Sequence, residues 1–281
     1  MEQKAEKQKR RRSNRSYVEP EPSAYSTVIL ILLLAIPILS TIGYGAVDMW
    51  AISLLSIITA LVVVFWMADS WKTRALRFNN SSLQLPILGL ICIACVQLLP
   101  SGNAGISPDL LTTSPVQALS LDPYATRFFL IRLVIAFVFF AGALAFIDSR
   151  KRVKKIALVI VIFGAFMAFV GILQRLASPD AIYGLRPTPQ AIPFGPFVNQ
   201  HHFAAFMEMT AGLTLGLLLG GSVKRDKTAL LGIATALMVI AVVMTGSRGG
   251  FLGMLGVTGF VLAARFLSGN GRLSERAKPG S

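Results

Sequence analysis

The chain has 281 residues, 54% of them hydrophobic and 14% charged, with a formal net charge of +14 and a mean hydropathy of +0.66. A soluble domain of this size disperses its apolar residues by period. Here they run in blocks of roughly 17–22, the length that crosses a ~30 Å hydrocarbon core. That excludes an ordinary soluble domain. The basic excess reads as charge flanking membrane helices and not as a nucleic-acid surface.

In lipid only helices and closed barrels satisfy the backbone. The blocks are continuous and not alternating, so the expected fold is all-α, a polytopic integral membrane protein. Residues 1–23 form a polar tail carrying Lys4, Lys7, Lys9, Arg10, Arg11, Arg12 and Arg15, too charged to fold alone. No Ala-x-Ala site follows the first apolar block, so that block is expected to be an uncleaved span. Eight spans are drawn, at about 26–42, 49–67, 83–99, 126–147, 156–176, 202–221, 228–245 and 250–267. Pro37 lies inside the first, and Trp50 and Trp66 near the ends of the second are expected interface anchors. Cys92 and Cys95 in the third have no second ligand pair and read as small packing residues rather than a metal or redox site. A polar tail follows from 268 to 281.

The basic residues in the connections give the orientation. Of 27 Lys and Arg, 22 lie in the N-terminal tail, in 69–82, 148–155 and 222–227, and at the C-terminal end. These alternate strictly with the spans, so both termini are expected to be cytoplasmic. The opposite side receives 43–48, two longer loops at about 100–125 and 177–201, and the turn at 246–249. Function is sought in those longer loops.

The remaining five basic residues, Arg127, Arg132, Arg175, Arg186 and Arg248, are all arginine and all fall on that outer side. A guanidinium fork fits phosphate bidentately, so five of them against the sidedness rule suit an anionic ligand at the membrane surface. Snorkelling or helix capping is the alternative for Arg127 and Arg175. Arg132 lies about two turns inside its span, where an isolated charge costs ~2.5–3.5 kcal/mol. Glu208 is the matching anomaly in the sixth span, and Arg132 is its expected partner, as a structural or a functional pair. Glu208 falls seven residues after His201, close to two helical turns, which puts both on one face. His201 and His202 are the only histidines; they end a Pro/Gly-rich loop and could serve as base, donor or interface residues. Asn199 is a plausible helix cap that could also meet a ligand. The turn containing Ser247, Arg248, Gly249 and Gly250 opens the eighth span, whose first amides favour an anion. No nucleotide loop, nucleophile elbow, zinc-helix motif or outer Asp-x-Asp pair appears, so no cofactor and no metal is expected.

Two stretches resemble the bacterial O-antigen ligase and O-antigen polymerase superfamily. Phe194-Gly195-Pro196-Phe197-Val198-Asn199-Gln200-His201-His202-Phe203-Ala204, followed by Glu208, is similar to the family's Gly-x-Phe-x-Asn-x-Asn-x-x-Ala opening of a span. Thr245-Gly246-Ser247-Arg248-Gly249-Gly250 is similar to its Thr-x-Ser-Arg-Gly motif, one hairpin later. The second Asn of the first motif is His201 here. The resemblance covers the region from about 193 to 267. It implies a glycosyltransferase that moves a glycan from a polyprenyl-diphosphate carrier to an acceptor sugar or lipid at the outer face of the bacterial inner membrane. It gives Arg248 the motif arginine's role toward the diphosphate. Family members continue through further spans and a later outer loop with a histidine, so the resemblance implies a member lacking the usual C-terminal part. On that reading Arg248, His201 and Glu208 are the catalytic candidates, and Arg186, Arg132, Arg175, Arg127, Asn199, His202 and Ser247 the substrate-binding ones. Two alternatives stand beside it: a non-catalytic subunit that binds lipid-linked glycan, and a transporter, for which no internal repeat is seen.

Overall fold

The computed structural model describes residues 23–101, 118–221, 223 and 225–276. The N-terminal basic tail up to 22, most of the 100–125 loop and the last five residues lie outside the described residues.

The described residues are mainly helical: α1 (Ala24–Ile42), α2 (Met49–Thr73), α3 (Leu85–Gln97), α4 (Pro123–Phe146), α5 (Arg150–Ala177), α6 (Gln200–Leu219), α7 (Arg225–Thr245) and α8 (Arg248–Arg276), with a small hairpin of β1 (Ala181–Ile182) and β2 (Arg186–Pro187) between α5 and α6. Among the described residues seven helices are long and apolar enough to cross a membrane. Their outward faces carry bare large apolar side chains, such as Ile162, Phe166, Leu252 and Phe260, which water would not tolerate in such number. Buried hydroxyls fold back on their own helices, as Thr59 on Leu55 and Thr214 on Thr210. That is how a polar side chain is satisfied where no water is at hand.

The expected third span is the exception in length. Pro86 opens α3 and Pro100 follows its end, leaving 13 helical residues, about 20 Å. Its flanks, which include a 3-10 turn at Ser82–Gln84, supply the rest. The Asn79 amide donates to the Leu144 carbonyl at one end of α4 (3.4 Å), and the Ser120 N–H donates to the Gln97 carbonyl at the other (2.8 Å). The chain from 79 to 97 therefore runs the length of α4, and the alternation of sides is kept. Cys92 and Cys95, expected as packing residues, are exposed free thiols; Ala94 is the residue α3 buries. At the other end of the chain, the tail expected from 268 is helical as far as Arg276. No proline interrupts the backbone until Pro279, so the hydrogen-bonded ladder simply continues.

Helix packing falls into two groups, α1–α4 and α5–α8. The first is cored by Ile29, Leu33, Val62 and Phe146 with Ile36, Leu55 and Ile58. The second is cored by Val161, Met167, Phe203, Met207, Met238, Val242 and their neighbours. At the basic end, Arg77 forms an ion pair with fully buried Asp69 (3.1 Å), reaches Asp148 (4.0 Å) and lies over the Phe146 ring. Arg152 holds both oxygens of Asp148 (3.0 and 3.1 Å), and the Ser23 hydroxyl donates to Asp69. Arg77 and Arg152, counted in the sequence as orientation signals, thus also tie the ends of α1, α2, α4 and α5 together.

Candidate functional site

The other, distal end is where α5 stops and α6 and α8 begin. After Ala177 the chain makes the β1–β2 hairpin. Its three-residue loop, Tyr183 to Leu185, opens with two residues of positive φ, Tyr183 and Gly184, and the Leu185 N–H closes the turn on the Ile182 carbonyl (3.0 Å). The hairpin delivers Arg186 to Asp48, at the start of α2. Two guanidinium N–H groups donate to the two carboxylate oxygens at 2.5 and 3.1 Å, and the guanidinium lies 4.7 Å from the Tyr44 ring centre. The Asp48 hydrogen bond raises the Arg186 pKa above its ordinary value. Beside it the Tyr183 hydroxyl donates to the Ile42 carbonyl (3.0 Å). Burial, with the Tyr44 phenol nearby, pushes the Tyr183 pKa up to about 12. These contacts bridge the two helix groups.

The conspicuous Phe194–Phe197 stretch is a second tight turn. The Phe194 and Phe197 backbones exchange hydrogen bonds at 3.1 Å around Gly195, whose φ is +55°. A side chain at Gly195 would strike the Phe203 ring at 2.8 Å. The turn seats Phe194 and Phe197 on Phe203 and so fixes how the chain enters α6. Asn199 then caps the helix, its carboxamide oxygen accepting the His201 N–H (2.8 Å).

α8 begins the same way. The Ser247 hydroxyl oxygen accepts the Gly250 N–H (3.0 Å), and Thr245 Oγ1 accepts the Ser247 N–H (3.1 Å). The two helices run parallel in close contact. A Cβ on Gly250 would lie 2.6 Å from the Ala204 Cβ, and one on Gly253 would collide with the Glu208 carboxylate. Their caps are joined directly, since His201 Nδ1 lies 2.8 Å from Ser247 Oγ. Two helix N-termini, each with a partial positive charge, therefore open side by side at the distal end. Arg248 is exposed there. It stands over an open cleft of about 440 Å³ lined by Val242, Val243, Gly246, Ser247, Phe251 and Leu252.

The expected site residues are only partly gathered. Asn199, His201, Ser247 and Arg248 meet at the two helix starts. His202 is exposed one residue along, and Arg175 is half-buried in the last turn of α5. Arg127 and Arg132 are exposed on α4, which packs with α1, α2 and α3. The Arg132–Glu208 pair does not form: Glu208 is on α6, which packs on α5, α7 and α8, and its carboxylate faces Gly253. Equal depth in sequence did not mean adjacent helices. Arg186, expected to face a ligand, is held by Asp48. Ser247, expected to touch a ligand, is buried and occupied by Gly250 and His201. Sequence reasoning passed over Asp48, although it is the one acid in the short 43–48 loop, and over Gln174, whose buried amide has no hydrogen-bond partner among the described residues.

Comparison with protein families, curated proteins and solved structures finds no match.

Proposed function

We propose that this chain is a membrane glycosyltransferase of the O-antigen ligase type, moving a glycan from a polyprenyl-diphosphate carrier to an acceptor at the outer face of a bacterial inner membrane. The two motif stretches quoted above support the class. The observation that carries it is the cleft: Val242, Val243, Phe251 and Leu252 make an apolar wall, and exposed Arg248 stands at its mouth. An apolar wall suits a prenyl chain. A guanidinium beside two helix N-termini suits the diphosphate it carries. Charge that develops on the leaving diphosphate during transfer is stabilised by donors already in place. The charge alternation along the chain supports an outward orientation of this end.

A second reading is binding of the lipid-linked glycan without transfer. It is favoured by the place of Glu208, a catalytic candidate from the sequence, which lies about two turns down α6 from His201, against Gly253. Full-length protein in lipid nanodiscs, given a prenyl-diphosphate-linked sugar and an acceptor glycan, separates the two. Transfer that falls at least 10-fold in Arg248→Lys supports the enzyme. Arg248-dependent binding with no transfer supports the second reading. Absence of binding removes both.

A further inference from the structure

The bond between His201 and Ser247 has a direction, and the direction decides what His201 offers a ligand. Ser247 Oγ has one proton and two lone pairs. One lone pair takes the Gly250 N–H (3.0 Å). The hydroxyl is buried, and a buried hydroxyl proton left without an acceptor is costly. Among the described residues its partner is His201 Nδ1, at 2.8 Å. The Ser247 O–H therefore donates to Nδ1. A neutral imidazole holds one ring proton, so that proton is on Nε2, for which no partner occurs among the described residues. His201 is exposed, and its partner Ser247 directly precedes Arg248 in the chain.

We infer that Ser247 is a positioning residue that fixes His201 in the Nε2–H tautomer, so that His201 donates a hydrogen bond to the anionic head of the ligand instead of accepting a proton from an acceptor hydroxyl. This rests on the proposed diphosphate ligand. It also gives the buried Ser247 two simultaneous tasks, capping α8 and orienting the ring that the α6 cap presents. The sites of Asn199 and Ser247 then form one donor surface, made of helix amides, the His201 Nε2–H and the Arg248 guanidinium.

The chain has two histidines, so nitrogen-15 histidine labelling of full-length His202→Gln protein in nanodiscs reports His201 alone. The expected spectrum has a protonated Nε2 and a bare Nδ1. Ser247→Thr keeps that pattern, and Ser247→Ala mixes the two tautomers. Binding of farnesyl diphosphate is expected to weaken about 10-fold in both Ser247→Ala and His201→Phe, and to be retained in Ser247→Thr. A protonated Nδ1 in the His202→Gln spectrum overturns the inference. So does weakened binding in Ser247→Ala with unchanged binding in His201→Phe, which makes Ser247 a helix cap alone. If farnesyl diphosphate binds no form of the protein, the functional reading and the anion-donor role fall together, while the tautomer spectrum still decides whether Ser247 orients His201.

Discussion

Arg186 and Asp48 form a two-pronged ion pair between the β-hairpin before α6 and the start of α2, at 2.5 and 3.1 Å. The pair joins two helix groups whose broad packing is otherwise internal to each. Tyr44, Ala46 and Tyr183, all in the left-handed region, flank it. Such backbone is held in place by its surroundings at some cost, so this clamp is a junction under constraint.

Breaking the clamp is expected to cost little on its own. Arg186 is 35% exposed and Asp48 27%, and ion pairs in such settings contribute about 0.2–1 kcal/mol. A double-mutant cycle with Arg186→Gln and Asp48→Asn, read by thermal unfolding in detergent, should give a coupling in that range that shrinks in high salt. A coupling above about 3 kcal/mol would mean the pair is far better shielded than its exposure indicates.

The phenol beside the clamp gives a pH signature. Tyr183 keeps its proton up to about 12 in the folded chain, against an ordinary value near 10. Above the ordinary value the unfolded chain loses this proton first, so folding stability is untouched below about pH 10 and declines from there to about 12. Phenolate absorbance should show one tyrosine titrating late, and Tyr183→Phe should remove that component together with its share of the alkaline decline.

Helix contact between α6 and α8 depends on missing side chains. At Gly250 an added methyl would sit 2.6 Å from the Ala204 Cβ, and two Cβ atoms cannot swing aside. Gly250→Ala is expected to destabilise by about 1–3 kcal/mol. Gly256 has open space around it, so Gly256→Ala should be neutral or slightly stabilising through helix propensity. Paired melting curves of the two variants check both signs at once.

At the basic end the Asp69–Arg77 pair is the vulnerable one. Asp69 is 0% exposed and the Arg77 side chain 9%. Removing one partner leaves a buried charge alone, which typically costs about 3–5 kcal/mol. Asp69→Asn should therefore lower the melting temperature far more than Asp48→Asn at the distal clamp. Similar losses in the two would argue that water reaches Asp69.

The helical fold was legible because apolar blocks and alternating basic connections are one-dimensional signals. Span length and the two helix caps are written along the chain. Which helices touch is not. Arg132 and Glu208 share a depth but belong to different groups, and nothing in either segment announces its neighbour. The short α3 was hidden because Leu83, Leu98 and Leu99, beyond its two ends, prolong the apolar run. The site was half legible. Asn199, His201 and Arg248 stand out by type and place. The roles of Ser247 and Arg186 depend on partners 46 and 138 residues away, which local pattern cannot supply.

The cleft under Arg248 makes the last expectation, which separates recognition of the tail from that of the head. Val243 lines it and is 57% exposed, so Val243→Phe can fill part of the space without disturbing the helix cap. Displacing two or three methylene groups of a bound prenyl chain forfeits about 2 kcal/mol at ~0.8 kcal/mol each, or roughly 30-fold in affinity. Farnesyl diphosphate binding to Val243→Phe should weaken by about that factor, while inorganic pyrophosphate binding should stay as in the wild type. Arg248→Lys should weaken both ligands, because on the proposed function the guanidinium fork serves the diphosphate whichever tail is attached. Equal losses of pyrophosphate and farnesyl diphosphate in Val243→Phe would show that the tail runs elsewhere on the protein.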